Sequence, residues 1–157
     1  MPNKTTKLGL NTFLESEVLN YEDVNYNFEK IDEYPICIES GKKSSTYSGA
    51  VSGNATWYYR KYADGTIDLY TNIETTGLKC SSGASAPYYS NTTKILIPIS
   101  LSTIYGTELS LTSEYLGWVA DITGKNVNDY ITFQVVGLKV ESNNTYKRVY
   151  IHIKGRC

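Results

Sequence analysis

The residues of this chain with chemistry beyond packing are few: one histidine, His152, three cysteines, Cys37, Cys80 and Cys157, and scattered carboxylates. Glycoside cleavage needs two carboxylates at a defined separation. Asp64 falls in a turn, Asp68 is expected to pair with Lys61, and Asp121 and Asp129 flank loops, so spacing shows no such pair. His152 lies on the polar face of an alternating segment, with no cysteine or second histidine nearby, and reads as a surface residue rather than a catalyst or metal ligand. The cysteines are odd in number and far apart, a pattern of free thiols and not of a disulfide framework or a zinc site. No catalytic residue, metal or cofactor is expected, and the chain reads as non-enzymatic.

Binding remains. Aromatic residues make up 13% of the 157 residues, and 15 are tyrosines against 3 phenylalanines. Rings that are flat, apolar and tipped with a hydroxyl suit broad amphipathic surfaces; tyrosine is also a favoured strand residue, so a β-rich protein collects it without any binding role. Tyr88, Tyr89, Tyr105, Tyr115 and Trp118 lie in or beside the Ser/Gly/Thr-rich segments 77 to 94 and 102 to 114. They are the candidate ligand contacts, either stacking on saccharide or filling an interface between subunits. The formal net charge is −1 and the lysines and arginines are dispersed, which gives no electrostatic support to nucleic-acid or anionic-membrane binding. MPNKTTKLGL has no uninterrupted apolar run, so neither a signal peptide nor membrane insertion is expected, and assembly falls in the cytoplasm.

The elements that would position these residues divide the chain into an arm and helix over 1–35, a linker or loop over 36–56, and a β domain over 57–157. The first 19 or so residues carry apolar anchors, Leu8, Leu10, Phe13 and Leu14, without a sustained period. An extended arm cannot bury them by itself, so they are expected to lie in a groove of another subunit, the alternative being an arm folded back on its own domain. Asn20 then opens a capped segment that Pro35 closes, predicting a helix of about three turns. Tyr21, Val24, Phe28 and Ile31 recur on it as an oligomerisation seam, too short to hold an assembly by itself; packing onto its own domain is the alternative.

Residues 40–56 are rich in Ser, Gly and Thr and read as a loop with at most a short edge strand. The runs Thr56–Tyr62 and Thr66–Ile73 flank Ala63-Asp64-Gly65, a hairpin signal. A two-residue turn would set Lys61 opposite Asp68 and Tyr59 opposite Tyr70, leaving neither face plainly solvated. Ile95, Ile97, Ile99 and Leu101 share one face, with Pro98 marking an edge or bulge. Ile131, Phe133 and Val135 alternate with polar residues until Gly137 breaks the run as a bulge would, and Val149, Ile151 and Ile153 alternate with Arg148, Tyr150, His152 and Lys154. The fold class expected is mainly β: an extended arm and short α-helix followed by an antiparallel β-sandwich or jelly-roll-like domain.

Two segments carry a resemblance. TKLGLNTFLESEVLNYEDVNYNFEKID, through Asp23, Asn25, Asn27, Phe28, Glu29, Ile31 and Asp32, resembles the N-terminal arm of tail-fibre and baseplate-attached proteins of tailed phages of Firmicutes-type hosts. TWYYRKYADGTIDLYTNIE with the closing YIHIKGRC, through Trp57, Tyr59, Arg60, Lys61, Gly65, Gly155 and Arg156, resembles the C-terminal β domain of phage minor structural proteins. That family often has Trp where Tyr62 stands and Cys-Trp or Leu-Trp where Leu69-Tyr70 stands; residues from about 77 to 129 are unmatched. The resemblance implies a virion protein that forms a homotrimer. Its arm would attach to other tail, baseplate or capsid proteins, and its β domain would be a receptor-binding tip meeting host cell-surface saccharide. The alternative is a purely structural head fibre, decoration protein or baseplate connector.

Overall fold

The structure is a computed structural model that describes residues 3–4, 11–12, 36–124, 127–141 and 145–157. The chain forms two compact units, Met1–Ile36 and Cys37–Cys157. In the first, β1 (Asn3–Lys4) pairs antiparallel with β2 (Asn11–Thr12). The arm anchors Leu8, Leu10, Phe13 and Leu14, and the expected helix with Tyr21, Val24, Phe28 and Ile31, lie outside the described residues.

The second unit is built of β3 (Cys37–Gly49), β4 (Gly53–Tyr62), β5 (Thr66–Thr75), β6 (Tyr88–Tyr89), β7 (Thr93–Leu96), β8 (Thr103–Ser113), β9 (Gly117–Asp121), β10 (Tyr130–Gly137) and β11 (Lys147–Arg156). All pairings are antiparallel and all nine strands join one sheet, in the order β6-β10-β7-β3-β4-β5-β11-β8, with β9 on the free edge of β10. The expected mainly β, antiparallel character is therefore what the chain adopts, as one sheet rather than two separate layers. One core accounts for its curl: Trp57 and Tyr59 of β4, Ile67, Leu69 and Ile73 of β5, Ile95 of β7, Ile131, Phe133 and Val135 of β10, and Val149, Ile151 and Ile153 of β11 pack in a single cluster. Leu109 and Leu111 of β8 and Val119 of β9 close onto that cluster from the two ends of the sheet.

Several expectations change. The stretch expected as a linker is the thirteen-residue strand β3, bonded to β4 along its length and to β7 at Tyr47–Gly49. Its polar composition misled because its stability comes from ladder hydrogen bonds and from side-chain bonds to its neighbours: Ser45 Oγ accepts from Trp57 Nε1 at 2.9 Å and donates to the Leu96 carbonyl at 2.6 Å. Likewise 102–114, expected as a polar loop, is the eleven-residue β8, paired with the whole of β11. Gly137 ends β10 in register and is not a bulge; a Cβ there would stand 3.2 Å from the Cys80 sulfur. Register shifts instead in β8, where Tyr105 is the extra residue between Ile104, opposite Gly155, and Gly106, opposite Lys154, and in β3, where Ile38 is extra between Cys37, opposite Tyr62, and Glu39, opposite Lys61.

The β4–β5 turn differs in a way that matters for the site. Its loop has three residues, not two: Gly65 N donates to the Tyr62 carbonyl at 3.0 Å, Gly65 takes a left-handed φ of 83°, and Asp64 Oδ1 accepts from the Thr66 amide and hydroxyl. The added residue changes the partners, so that Tyr58 faces Tyr70, Tyr59 faces Leu69 and Arg60 faces Asp68. Trp57, Tyr59, Ile67 and Leu69 consequently share the inner face, while Tyr58, Arg60, Asp68 and Tyr70 share the outer one. Lys61 pairs with Glu39 at 3.4 Å, not with Asp68.

At one end of the core the Lys147 ammonium, on the inner face of β11, meets Glu141 at 2.5 Å and Thr145 Oγ1 at 3.0 Å, all three buried. Glu141 also accepts from the Cys80 amide, so the charge pair is tied to the main chain of the loop after β5.

Candidate functional site: an aromatic and charged row on the outer face

Strand pairing sets one row of side chains across five strands on the outer face. Lys42 of β3 is opposite Tyr58 of β4, Tyr58 opposite Tyr70 of β5, Tyr70 opposite His152 of β11, and His152 opposite Glu108 of β8. Directly opposed residues in an antiparallel sheet have Cβ atoms roughly 5 Å apart, so neighbours in such a row touch. Lys42 Nζ lies 5.0 Å from the centre of the Tyr58 ring. Tyr70 and His152 stack with ring centres 4.4 Å apart and planes within 9°.

His152 is braced from both sides, Nδ1 at 3.3 Å from Glu108 and Nε2 at 3.4 Å from Asp68. The two carboxylates sit on opposite ring nitrogens, so they cannot join the imidazole in holding a single ion. Asp68 also accepts the Tyr62 hydroxyl at 2.9 Å, a bond that raises the Tyr62 pKa because it favours the protonated phenol. Burial, and after it the nearby Asp68 charge, raises that of Tyr70. The row is thus three rings, Tyr58, Tyr70 and His152, with Lys42 at one end and Glu108 at the other. Beside it runs an open groove of about 560 Å3 lined by Lys42, Tyr58, Arg60 and Tyr70, with the chain at Ser40, Gly41 and Tyr59 also bordering it. A second recess of about 360 Å3, lined by Asn54, Thr56, Asn72 and Glu74, lies on the other side of Tyr58.

The residues expected to contact ligand are dispersed. Tyr89 of β6 and Trp118 of β9 both stand opposite Val136 of β10 and flank it; Val136 points away from the core yet is buried. Tyr88 packs partly against the core, and Tyr115 lies in the β8–β9 turn with Lys139 5.8 Å from its ring. Tyr105, the bulged residue, is on β8 and apart from the others. With Trp118, exposed Leu116 and Leu138 make an apolar patch, tied by a hydrogen bond from the Leu138 amide to the Leu116 carbonyl. Sequence reading missed the row itself, although the alternation of β11 already placed His152 outward. It also missed Lys147, whose odd-numbered position puts it in phase with Val149, Ile151 and Ile153.

Asp64, Asp68, Asp121 and Asp129 form no facing carboxylate pair in the described hydrogen bonds, and no cluster of histidine, cysteine and carboxylates suited to a metal occurs among the described residues. Cys37 and Cys157 are exposed and Cys80 is buried, where desolvation raises its thiol pKa. No described helix is long and apolar enough to cross a membrane. Compared with family models, with curated proteins and with solved structures, the chain matches none.

Proposed function

We propose that this chain is a non-enzymatic virion protein of a tailed phage, a short homotrimeric tail-fibre or receptor-binding-type protein. On this reading the arm and its apolar anchors attach to tail, baseplate or capsid proteins, and the β domain meets host-surface saccharide. The observation that carries the reading is the exposure of large aromatic rings, Tyr58, Tyr70, Tyr105, Tyr115 and Trp118 among them, on a strand framework whose core is already filled by Trp57, Phe133 and the aliphatic residues. Rings left outside a complete core are available to stack on sugar faces. The resemblance of the Trp57–Lys61 hairpin and the Gly155-Arg156 ending to phage minor structural proteins supplies the virion context.

A pull-down on Firmicutes-type bacterial cells tests the contact: the full chain is expected to adsorb, and failure to adsorb to any strain on a broad panel would overturn it. Mass photometry of the isolated chain tests the assembly, with a trimer expected and a monomer at micromolar concentration counting against it. A second reading, a head fibre, decoration protein or baseplate connector with a structural role only, draws on the apolar patch of Leu116, Trp118 and Leu138. A cryo-EM map of the whole particle separates the two. A β domain distal and free supports adhesion, and one enclosed by other subunits supports the structural role.

A further inference from the structure

We propose that the groove along Tyr58 is a binding site for an acidic polysaccharide, with Tyr58 and Tyr70 as the stacking surface and Lys42 and Arg60 as the anion contacts. This rests on the adhesive reading above and assigns it a place and a ligand charge.

Lys61 pairs with Glu39, Arg148 with Glu74 and Lys147 with Glu141, while the other lysines and arginines of the β unit stand without a carboxylate among the described ion pairs; what distinguishes Lys42 and Arg60 is that they share one groove whose lining holds no carboxylate. Neither Lys42 nor Arg60 has a carboxylate within ion-pair distance among the described residues, although Arg60 stands directly opposite Asp68. Asp68 is engaged by the Tyr62 hydroxyl and by His152. The two cations border the groove without a carboxylate partner, Lys42 with its Nζ 5.0 Å from the Tyr58 ring centre.

The rings are set to receive a sugar. His152 covers one face of Tyr70, which fixes that ring while it lines the groove. Tyr58 is 51% exposed and divides the cationic groove from the recess lined by Asn54, Thr56, Asn72 and Glu74. A chain crossing Tyr58 would place an acidic unit by Lys42 and Arg60 and a neutral unit by the two asparagine amides, which donate and accept as sugar hydroxyls require. The Glu74 carboxylate, matched by Arg148, disfavours acid on that side.

The test is an array of purified bacterial surface polysaccharides, the acidic ones in native and carboxyl-reduced form, probed with the full chain alongside adsorption to cells. Binding is expected to native acidic members, to fall with carboxyl reduction and added salt, and to drop about ten-fold or more in Tyr58→Ala and in K42E/R60E. Tyr146→Ala, which removes an exposed ring outside the groove, should leave it within about two-fold. Thermal unfolding checks that each variant keeps its fold, and Tyr58→Phe, which keeps the ring, should retain most binding. Equal binding to reduced forms, or loss in Trp118→Ala but not in Tyr58→Ala, would overturn the site while leaving the adhesive reading in place. Cell adsorption unaffected by K42E/R60E would do the same. Absence of adsorption in the wild-type chain itself would remove both.

Discussion

On the inner face of the β4–β5 ribbon, Trp57, Tyr59, Ile67 and Leu69 are closed from solvent; on the outer face, Tyr58, Arg60 and Tyr70 border an open groove. Tyr58 and Tyr59 are adjacent in the chain, yet one is 51% exposed and the other 8%. The polar tips of the inner residues are satisfied within the fold, Trp57 Nε1 on Ser45 and the Tyr59 hydroxyl on Glu39. The outer rings instead meet charged side chains at the surface. Residue type alone does not separate a core ring from a binding ring; strand parity does, and parity here was set by one extra residue in a turn.

The sharpest test of this division is Trp57→Ala, which empties the largest fully buried side chain and should cost about 3–5 kcal/mol in urea denaturation. Tyr58→Ala, one position on, should change stability by no more than about 0.5 kcal/mol. Comparable losses in the two would break the comparison.

Lys147→Ala extends it to charge. The substitution leaves Glu141 buried without its ammonium and should cost about 3–5 kcal/mol. The outer substitution Lys42→Ala should sit near zero in the same assay. A pair of apolar replacements at Lys147 and Glu141 should recover most of the loss, because the penalty belongs to the orphaned charge.

Gly65→Ala probes the turn that fixes the parity. Its left-handed φ of 83° should make alanine cost about 1–2 kcal/mol by thermal unfolding, whereas alanine at Ala63's neighbour Asp64 removes only a surface carboxylate that caps the turn.

The smallest effect expected is on pH. The Tyr59 hydroxyl, and after it Lys61, lowers the Glu39 pKa; the Thr66 hydroxyl and amide lower that of Asp64. Both folded values lie below the unfolded ones, so their contribution is whole at neutral pH and is lost as pH falls through the folded values. Unfolding midpoints should therefore decline below about pH 4.5, and the decline should be shallower in Glu39→Gln.

Much of the β unit was legible in the chain. The alternation of Val149, Ile151 and Ile153 with Arg148, Tyr150 and His152 matches the faces of β11; of Ile95, Ile97, Ile99 and Leu101, Ile99 is only partly buried and the other three are buried, although β7 itself ends at Leu96. The Asp-Gly pair correctly announced a hairpin. The candidate site was barely legible: of the row, only the outward placement of His152 followed from local pattern, because the row exists only once five strands are in register.

Local sequence determined which segments extend and where β4 turns back on β5, since alternation and glycine's access to positive φ act over a few residues. Tertiary structure decided that polar β3 and β8 are strands, because their ladders are completed by partners far away in the chain. Register likewise decided which tyrosines face water. A single residue more or less in a loop exchanges the two faces of a strand, and only the filled core selects between them.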